Sequence, residues 1–248
     1  VYCLKLFNEF WDESFNVLKK YIGETGIPVL FFPRKDEIPD EDCLIINPQE
    51  NIHYTADKFE MNELFLKLQI PHPRTFLHPL KDMSWYHKWY IRRFPKTYIS
   101  KPRRGYGGNG KKIHESYPKI YRDEQFVQEF YEHAHHIRLY WLDNKVVCWC
   151  EFVGGKGLIR NAQYGWRYTP INIRAYMRPM CQAAIMYKCG EFQEATGLNF
   201  FGVDIAFNSE DDWKFLEINS MPAVRGHDWR IIIVGDAIKK WIEQTLNT

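Results

Sequence analysis

The chain has 248 residues, 45% hydrophobic and 17% aromatic, and its 33 basic and 31 acidic side chains leave a formal charge of +2. That is enough apolar material for one large core or two small ones, and too little net charge to require a nucleic acid or an anionic membrane surface as partner. No apolar run reaches membrane-spanning length, and Val1-Tyr2-Cys3-Leu4-Lys5 lacks the apolar stretch of a signal peptide. Six cysteines without a C-x-x-C pair then predict reduced thiols in a soluble, cytoplasmic protein with no membrane partner.

Apolar spacing predicts a helix over Asn8–Lys20, short buried strands over Pro28–Phe32 and Cys43–Ile46, and a polar turn region between them. A second helix starts at Asp57. Asp57 with Glu60 three residues on has the form of a capping box, Phe59, Leu64, Phe65 and Leu68 line one face, and Pro71 and Pro73 stop the helix. A helix over Ser84–Arg93 precedes a strand Tyr98–Lys101, a glycine loop and a strand near Gly110–His114. Strands follow at Gln125–Phe130, Ile137–Leu142 and Lys145–Phe152, the last two joined by a tight Asp143-Asn144 turn. A helix over Met180–Ala195 ends before Gly197; two further strands, a loop over Ser220–Asp228 and a helix over Trp229–Leu246 complete the chain. Helices interleaved with hairpins, instead of strict strand-helix alternation, predict an α+β fold.

The two late strands carry Asp204, in Gly202-Val203-Asp204-Ile205, and Glu217 and Asn219, in Phe215-Leu216-Glu217-Ile218-Asn219. Hard divalent cations take carboxylate and amide oxygens, and Mg²⁺ is usually shared between one or two carboxylates and nucleotide phosphates. Strict alternation along the second strand places Phe215, Glu217 and Asn219 on one face, with Leu216 and Ile218 in the core. An edge strand whose acid and amide face water is the competing reading.

The glycine loop, Lys101-Pro102-Arg103-Arg104-Gly105-Tyr106-Gly107-Gly108-Asn109-Gly110-Lys111-Lys112, combines backbone amides that can approach phosphate oxygens with flanking cations. Gly105, Gly107 and Gly110 satisfy G-x-G-x-x-G, but Lys112 stands where a P-loop needs a hydroxyl, and strand-like residues follow where a helix should. Protein-kinase H-R-D and D-F-G elements are missing from the sequence. A solvated glycine turn is the alternative. Arg138 interrupts an apolar strand and therefore calls for a partner. His133, His135 and His136 lack zinc-site spacing and read as a solvated bend. Trp85–Phe94 mixes aromatic and basic residues as a nucleic-acid or membrane face would, yet Trp85, Trp89 and, less closely, Arg92 share one side of a helix, as in a partly buried amphipathic helix with a cationic outer face.

Taken in order, these segments resemble the ATP-grasp superfamily, in particular its carboxylate–amine ligase branch. That branch includes the glutamate ligase of a ribosomal protein and, more distantly, D-alanine–D-alanine ligase and glutathione synthetase. The resemblance covers residues 55–246. It rests on Asp57-Lys58 opening a helix, Ile70-Pro71-His72-Pro73-Arg74-Thr75, the Lys101 strand with its glycine lid, Phe126-Val127-Gln128-Glu129-Phe130, Ile137-Arg138, Arg160-Asn161, and Asp204, Glu217 and Asn219 followed by Ser220-Met221-Pro222-Ala223-Val224-Arg225-Gly226.

The resemblance implies an ATP-grasp fold of two α+β subdomains clamping ATP, with residues 1–55 as a reduced N-terminal region, 56–127 as the lid subdomain and 128–248 as the metal-bearing subdomain. It implies an ADP-forming ligase that joins a carboxylate, of a small molecule or a peptide, to an amine through an acyl phosphate. Lys58, Lys101, Gly107, Gly108 and Asn161 would meet the nucleotide phosphates, the backbone of Glu129 and Phe130 the adenine edge, and Asp204, Glu217 and Asn219 would hold Mg²⁺ or Mn²⁺. Lys101, Arg160 and Arg225 would be catalytic, with Arg138 and Arg225 as carboxylate clamps. His136 occupies the position of the family's ribose-binding acid, and the Arg-x-Asn element is compressed to Arg160-Asn161. A nucleic-acid partner is compatible but not required, as is a homodimer. The rival reading is an ATP-grasp-like module without ligase chemistry that docks a peptide or a nucleic acid.

Overall fold

The computed structural model describes residues 4–6, 12–23, 29–35, 38, 43–76, 84–93, 97–105, 110–118, 125–160, 164–222 and 228–246. Gly107, Gly108, Asn161 and Arg225 lie outside the described residues, as do the first four residues of the helix expected from Asn8.

Near the N-terminus, β1 (Leu4–Leu6), β2 (Val29–Phe31) and β3 (Leu44–Ile46) form a parallel sheet in that order, with α1 (Asp12–Ile22) between β1 and β2. After α2 (His53–Ala56) comes α3 (Lys58–Lys67), whose N-cap Asp57 accepts hydrogen bonds from the backbone N–H groups of Phe59 and Glu60. Glu60 does not close a box on Asp57; its carboxylate stands 3.6 Å from Arg103. The buried stripe of α3 is Lys58, Met61, Asn62 and Phe65. The expected face was therefore rotated: Phe65 belongs to it, whereas Phe59, Leu64 and Leu68 are half-buried. Two polar residues displace apolar ones in the stripe because this side of α3 borders the cavity described below.

A four-stranded antiparallel sheet has the order β4 (Thr75–Phe76), β7 (Gln125–Glu129), β5 (Tyr98–Pro102), β6 (Lys112–His114), and α4 (Trp85–Arg93) lies between β4 and β5 in sequence. Phe76, Ile91, Tyr98, Tyr117 and Val127 form its small core. In α4 it is Ile91 that turns inward, while Trp85 is 77% exposed and Trp89 48%. The tryptophan side expected to be partly buried thus faces outward, where Trp85 and Trp89 line a groove together with Lys88 and Arg93.

The larger sheet is antiparallel, ordered β10 (Arg167–Pro170), β9 (Lys145–Val153), β8 (His135–Leu142), β11 (Phe200–Ser209), β12 (Asp212–Asn219). Asp143 and Asn144 turn β8 into β9 with φ of 45° and 60°, the paired left-handed conformation that matches strand twist in a two-residue hairpin. Alternation divides β8 and β11 cleanly. Ile137, Leu139 and Trp141 of β8 and Phe201, Val203, Ile205 and Phe207 of β11 pack under α5 (Pro179–Thr196), with Ile185, Cys189 and Phe192. The other face carries His136, Arg138, Tyr140, Gly202, Asp204 and Ala206, and its far end is closed by α6 (Asp228–Leu246) through Val234, Ile238 and Ile242. Helix α5 starts on Pro179 and ends at Gly197, whose φ of 68° is the left-handed C-cap that glycine adopts without a Cβ penalty. Phe65 of α3 joins the two halves: its ring meets Phe192 and Phe215 edge-on at 6.1 and 6.0 Å. The architecture is α+β. Among the described residues no helix is long and apolar enough to cross a membrane.

One expectation fails at β12. Residues Asp204 and Glu217 are cross-strand partners, but the next pair is Ile205 with Phe215, so Leu216 is an extra, bulged residue. The bulge resets the alternation. Phe215 and Ile218 are both fully buried in the core, while Leu216, Glu217 and Asn219 all border the cavity. Strict alternation would have put Phe215 beside the carboxylates.

Candidate active site

The two antiparallel sheets line one cavity of about 360 Å³, within the range of small-molecule sites. From the smaller sheet come Ile99, Lys101, Gln128, Glu129 and Phe130; from the larger come His136, Arg138, Phe152, Tyr168, Asp204, Leu216, Glu217 and Asn219. Lys58 from α3, Gly105 and Lys111 from the glycine loop, His133, Arg160, Met221 and Pro222 also line it. Lys58, Lys101, Glu129, Phe130, His136, Arg138, Arg160, Asp204, Glu217 and Asn219, widely separated in sequence, thus share one cleft.

The lysines are held before any ligand arrives. Lys101 Nζ donates to Gln128 Oε1 at 2.5 Å; Gln128 Nε2 donates to Asn62 Oδ1 and Thr75 Oγ1, both at 3.0 Å; Asn62 Nδ2 donates to the Lys58 carbonyl at 2.6 Å. This chain explains the polar residues in the buried stripe of α3, since a buried polar group is costly unless its bonds are made. Burial lowers Lys101 to about 7, reinforced by the cations Lys111 and Lys58 and opposed by Glu217 and Asp204. An ammonium with so little solvation favours an anion that enters the cleft.

Each acid already faces a cation. Glu217 Oε1 lies 3.0 Å from Lys58 Nζ, and although burial pushes its carboxyl up, Lys58 and Lys111 outweigh burial and hold it below the usual range. Arg138 grips Asp204 with two prongs, Nε to Oδ1 at 2.7 Å and Nη2 to Oδ2 at 2.5 Å. Burial raises the Asp204 carboxyl, Arg138 and His136 oppose it, and the net displacement is strongly downward. Arg138, expected to clamp a substrate carboxylate, clamps the chain's own. Cross-strand register decides this, because Asp204 and Arg138 are direct partners in the β11–β8 ladder.

The amides at the expected adenine edge and the Arg160 guanidinium already have partners within the chain. The N–H groups of Glu129 and Phe130 donate to the carbonyls of Arg74 (2.9 Å) and Thr97 (2.8 Å), so an adenine edge read there must use groups other than these two amides. Arg160 Nη2 donates to the carbonyls of His133 and Ala134, at 2.7 and 3.0 Å, and its guanidinium lies 4.8 Å from the centre of the Trp166 ring. The histidines form no solvated bend. His135 and His136 belong to β8, where His136 is 8% exposed, and both His133 and His136 border the cavity. His136 Nε2 stands 3.5 Å from Asp204 Oδ1 without forming a hydrogen bond. Burial lowers His133 to about 4, against a stabilising bond to the Tyr131 carbonyl.

Sequence reasoning missed Tyr168. Its ring stacks on Phe152 at 4.2 Å, carries the Arg138 guanidinium at 4.6 Å, and its hydroxyl is 3.4 Å from Asp204 Oδ1. Only the pairing of β10 with β9 puts it there, and no local signal announces it. Gln128 could have been found: it is a polar residue in a strand whose neighbours Phe126 and Val127 are core residues.

The oxygen donors suit a hard divalent cation. Asp204 and Glu217 are paired across the hairpin, and Asn219 pairs with Gly202 one step further along the ladder from Val203 and Ile218. Two carboxylates and an amide leave ligand positions for phosphate oxygens, as Mg²⁺ prefers. Among the described residues no cluster of three or more His, Cys, Asp or Glu could hold a metal by itself.

A family model described as an ATP-grasp domain matches residues 55–223. The chain belongs to the ATP-grasp family. No curated protein matches its sequence. Among solved structures, this ATP-grasp chain is similar to the ATP-grasp ligase PsnB complexed with precursor peptide PsnA2 and AMPPNP, at 16% identity and a TM-score of 0.58, covering 81% of this chain and 63% of that one. It is similar to the macrocyclase MdnC bound with precursor peptide MdnA from Microcystis aeruginosa MRC, at 13% identity and a TM-score of 0.60, covering 98% and 100%. It is also similar to D-alanine–D-alanine ligase from Bacillus anthracis, at 12% identity and a TM-score of 0.57, covering 96% and 98%. The chain spans a little under two thirds of the length of PsnB. At these identities the likeness is one of fold.

Proposed function

We propose that the protein is an ATP-dependent, ADP-forming ligase that joins a carboxylate to an amine. One observation carries this reading: Lys58, Lys101 and Lys111 line the same cleft as Asp204, Glu217 and Asn219, with Lys101 and the two acids drawn from three separate strands. A carboxylate is a poor electrophile and must be activated. In the reaction proposed, a substrate carboxylate oxygen bonds to the γ-phosphorus as the bond to the β,γ-bridging oxygen breaks, releasing ADP. The amine nitrogen then bonds to the acyl carbon, phosphate departs and the amine loses a proton.

The residues act mainly by positioning and by charge neutralisation. Lys58, Lys101 and Lys111 bind phosphate oxygens, with Gln128 orienting Lys101. Asp204, Glu217 and Asn219 would hold Mg²⁺, with Mn²⁺ as a substitute; when bound, the ion would supply positive charge against the phosphates. Arg138 and Tyr168 fix the Asp204 carboxylate. Arg160, and Arg225 outside the described residues, are assigned to the acyl phosphate and the oxyanion that follows. Gly107, Gly108 and Asn161, outside the described residues, are assigned to the phosphates by resemblance to the family, and the glycine loop is assigned the exclusion of the water that would hydrolyse the acyl phosphate. PsnB and MdnC hold precursor peptides, which supports a peptide carboxylate as one substrate class alongside small molecules. The chain divides at residues 55 and 127 in this reading. Free thiols at Cys43, Cys148, Cys150, Cys181 and Cys189 fit a reducing, cytoplasmic setting.

A second reading is a nucleotide-binding module that docks a peptide or nucleic acid. The shallow aromatic and basic groove of Trp85, Lys88, Trp89 and Arg93, outside the cleft, favours it. Incubation with Mg-ATP and a panel of amino acids, short peptides and amines, followed by assay of ADP and phosphate, separates the two. Substrate-stimulated ADP release supports the ligase; bound ATP with no stimulation across the panel supports the module.

A further inference from the structure

The N-terminal region holds the Asn219 end of β12 through one buried amide. Asn47, fully buried with a φ of 51°, follows β3 and reaches the start of β11 and the end of β12 together. Its Nδ2 donates to the carbonyls of Phe200 and, at 2.7 Å, Ser220; its Oδ1 accepts from the N–H groups of Asn199 at 3.0 Å and Phe200 at 2.9 Å. Both donors and both acceptor positions of the amide are used. Asn199 reciprocates, accepting from the Asn47 N–H at 3.0 Å and donating to the Ile45 carbonyl at 2.8 Å.

Ser220 directly follows Asn219, and the β11–β12 ladder ends with the pairing of Gly202 and Asn219. Beyond that pair the two strands have no further partner in each other, and the Asn47 amide bridges their carbonyls instead. A second grip comes from Thr55, whose Oγ1 donates to Ser220 Oγ at 2.7 Å. Lys58, three residues on, meets Glu217. Residues 47–58 therefore supply contacts to both Glu217 and the residue after Asn219.

We propose that Asn47 and Thr55 are positioning residues for the divalent-cation site: Asn47 holds the Ser220 carbonyl and Thr55 its hydroxyl, and together they fix the direction in which Asn219 enters the cleft. No other side chain does what Asn47 does there. Aspartate lacks the two donors and glutamine carries its amide one carbon too far. The proposal rests on the reading of Asn219 as a metal ligand given above.

The test uses the full chain and measures ADP affinity by calorimetry across a Mg²⁺ titration, alongside thermal unfolding. Thr55→Val and Asn47→Ala should each raise the half-saturating Mg²⁺ concentration roughly tenfold or more, as loss of a residue supporting a metal ligand does, and should reduce the ratio of ADP affinity with Mg²⁺ to that in EDTA. A lower melting temperature with an unchanged Mg²⁺ midpoint would mean that the pair only stabilises the fold, and would overturn the proposal. Asn47→Ala leaves buried groups unpaired; if it does not fold, the isosteric Thr55→Val decides the outcome. Asn219→Ala is the control. If Asn219→Ala leaves the Mg²⁺ midpoint unchanged, the metal assignment fails and takes the proposal with it; if only the Asn47 and Thr55 variants leave it unchanged, the positioning role fails alone.

Discussion

The ammonium of Lys58 lies 3.0 Å from Glu217 Oε1 and 2.9 Å from the carbonyl oxygen of Gly105, so one cation ties a candidate metal ligand to the stem of the glycine loop. The backbone follows the same path: the Lys58 N–H donates to the Arg103 carbonyl at 2.8 Å, and Arg103 pairs with Asp57. In the function proposed, an incoming polyphosphate and its cation would compete for both ends of this bridge.

Glu217→Gln keeps the side-chain volume, removes the charge and leaves Lys58 without its acid. Turnover of ATP should fall by roughly a hundredfold or more, the scale of losing a charge that stabilises the transition state. Steady-state ADP release measures it; turnover equal to that of the unmodified protein would remove Glu217 from the site.

Lys101 predicts a proton count. With its ammonium lowered to about 7 by burial, aided by Lys111 and Lys58, it is largely neutral at pH 8. Phosphate bound beside it favours the charged form, so nucleotide binding at pH 8 should take up a proton. Calorimetry in buffers of different ionisation enthalpy gives the count, and Lys101→Met should reduce it.

His133 predicts a pH dependence of stability. Its folded value, about 4 through burial, lies below the unfolded value of 6.5, so the unfolded chain binds the proton more readily between those limits. Its contribution is present above pH 6.5 and is lost as pH falls towards 4. Urea midpoints across that window should fall less steeply in His133→Asn than in the unmodified protein.

Gly155 is a site of close approach. A Cβ there would lie 2.1 Å from Cδ1 of Trp166, the ring that carries the Arg160 guanidinium. Gly155→Ala should destabilise the fold by about 1–3 kcal/mol, the usual range for overpacking, and shift tryptophan emission as the indole moves. Denaturation followed by fluorescence reads both.

Local chemistry was legible where a few neighbouring residues settle the backbone. Asp57 caps α3, Asp143-Asn144 turns β8 into β9, and Gly197 ends α5, each for a reason contained within about four residues. The bulge at Leu216 was not legible: its extra residue exists only relative to β11, and it brings Leu216 to the cleft in place of Phe215. Arg138 announced that it needed a partner, but the partner is 66 residues away and chosen by register. Trp85 and Trp89 share a helical side in either reading; what lies beneath the helix decides whether that side is inside or out.

By itself, the sequence determined the kinds of element, their order, and which residues carry oxygen donors and cations suited to magnesium and phosphate, because capping, turns and ligand chemistry are local properties. The tertiary structure alone decided who faces whom. Strand pairing over long separations puts Asp204 against Arg138 and Tyr168, while the packing of α3 and of the turn after β3 sets Glu217 against Lys58 and brings Asn47 to the end of β12.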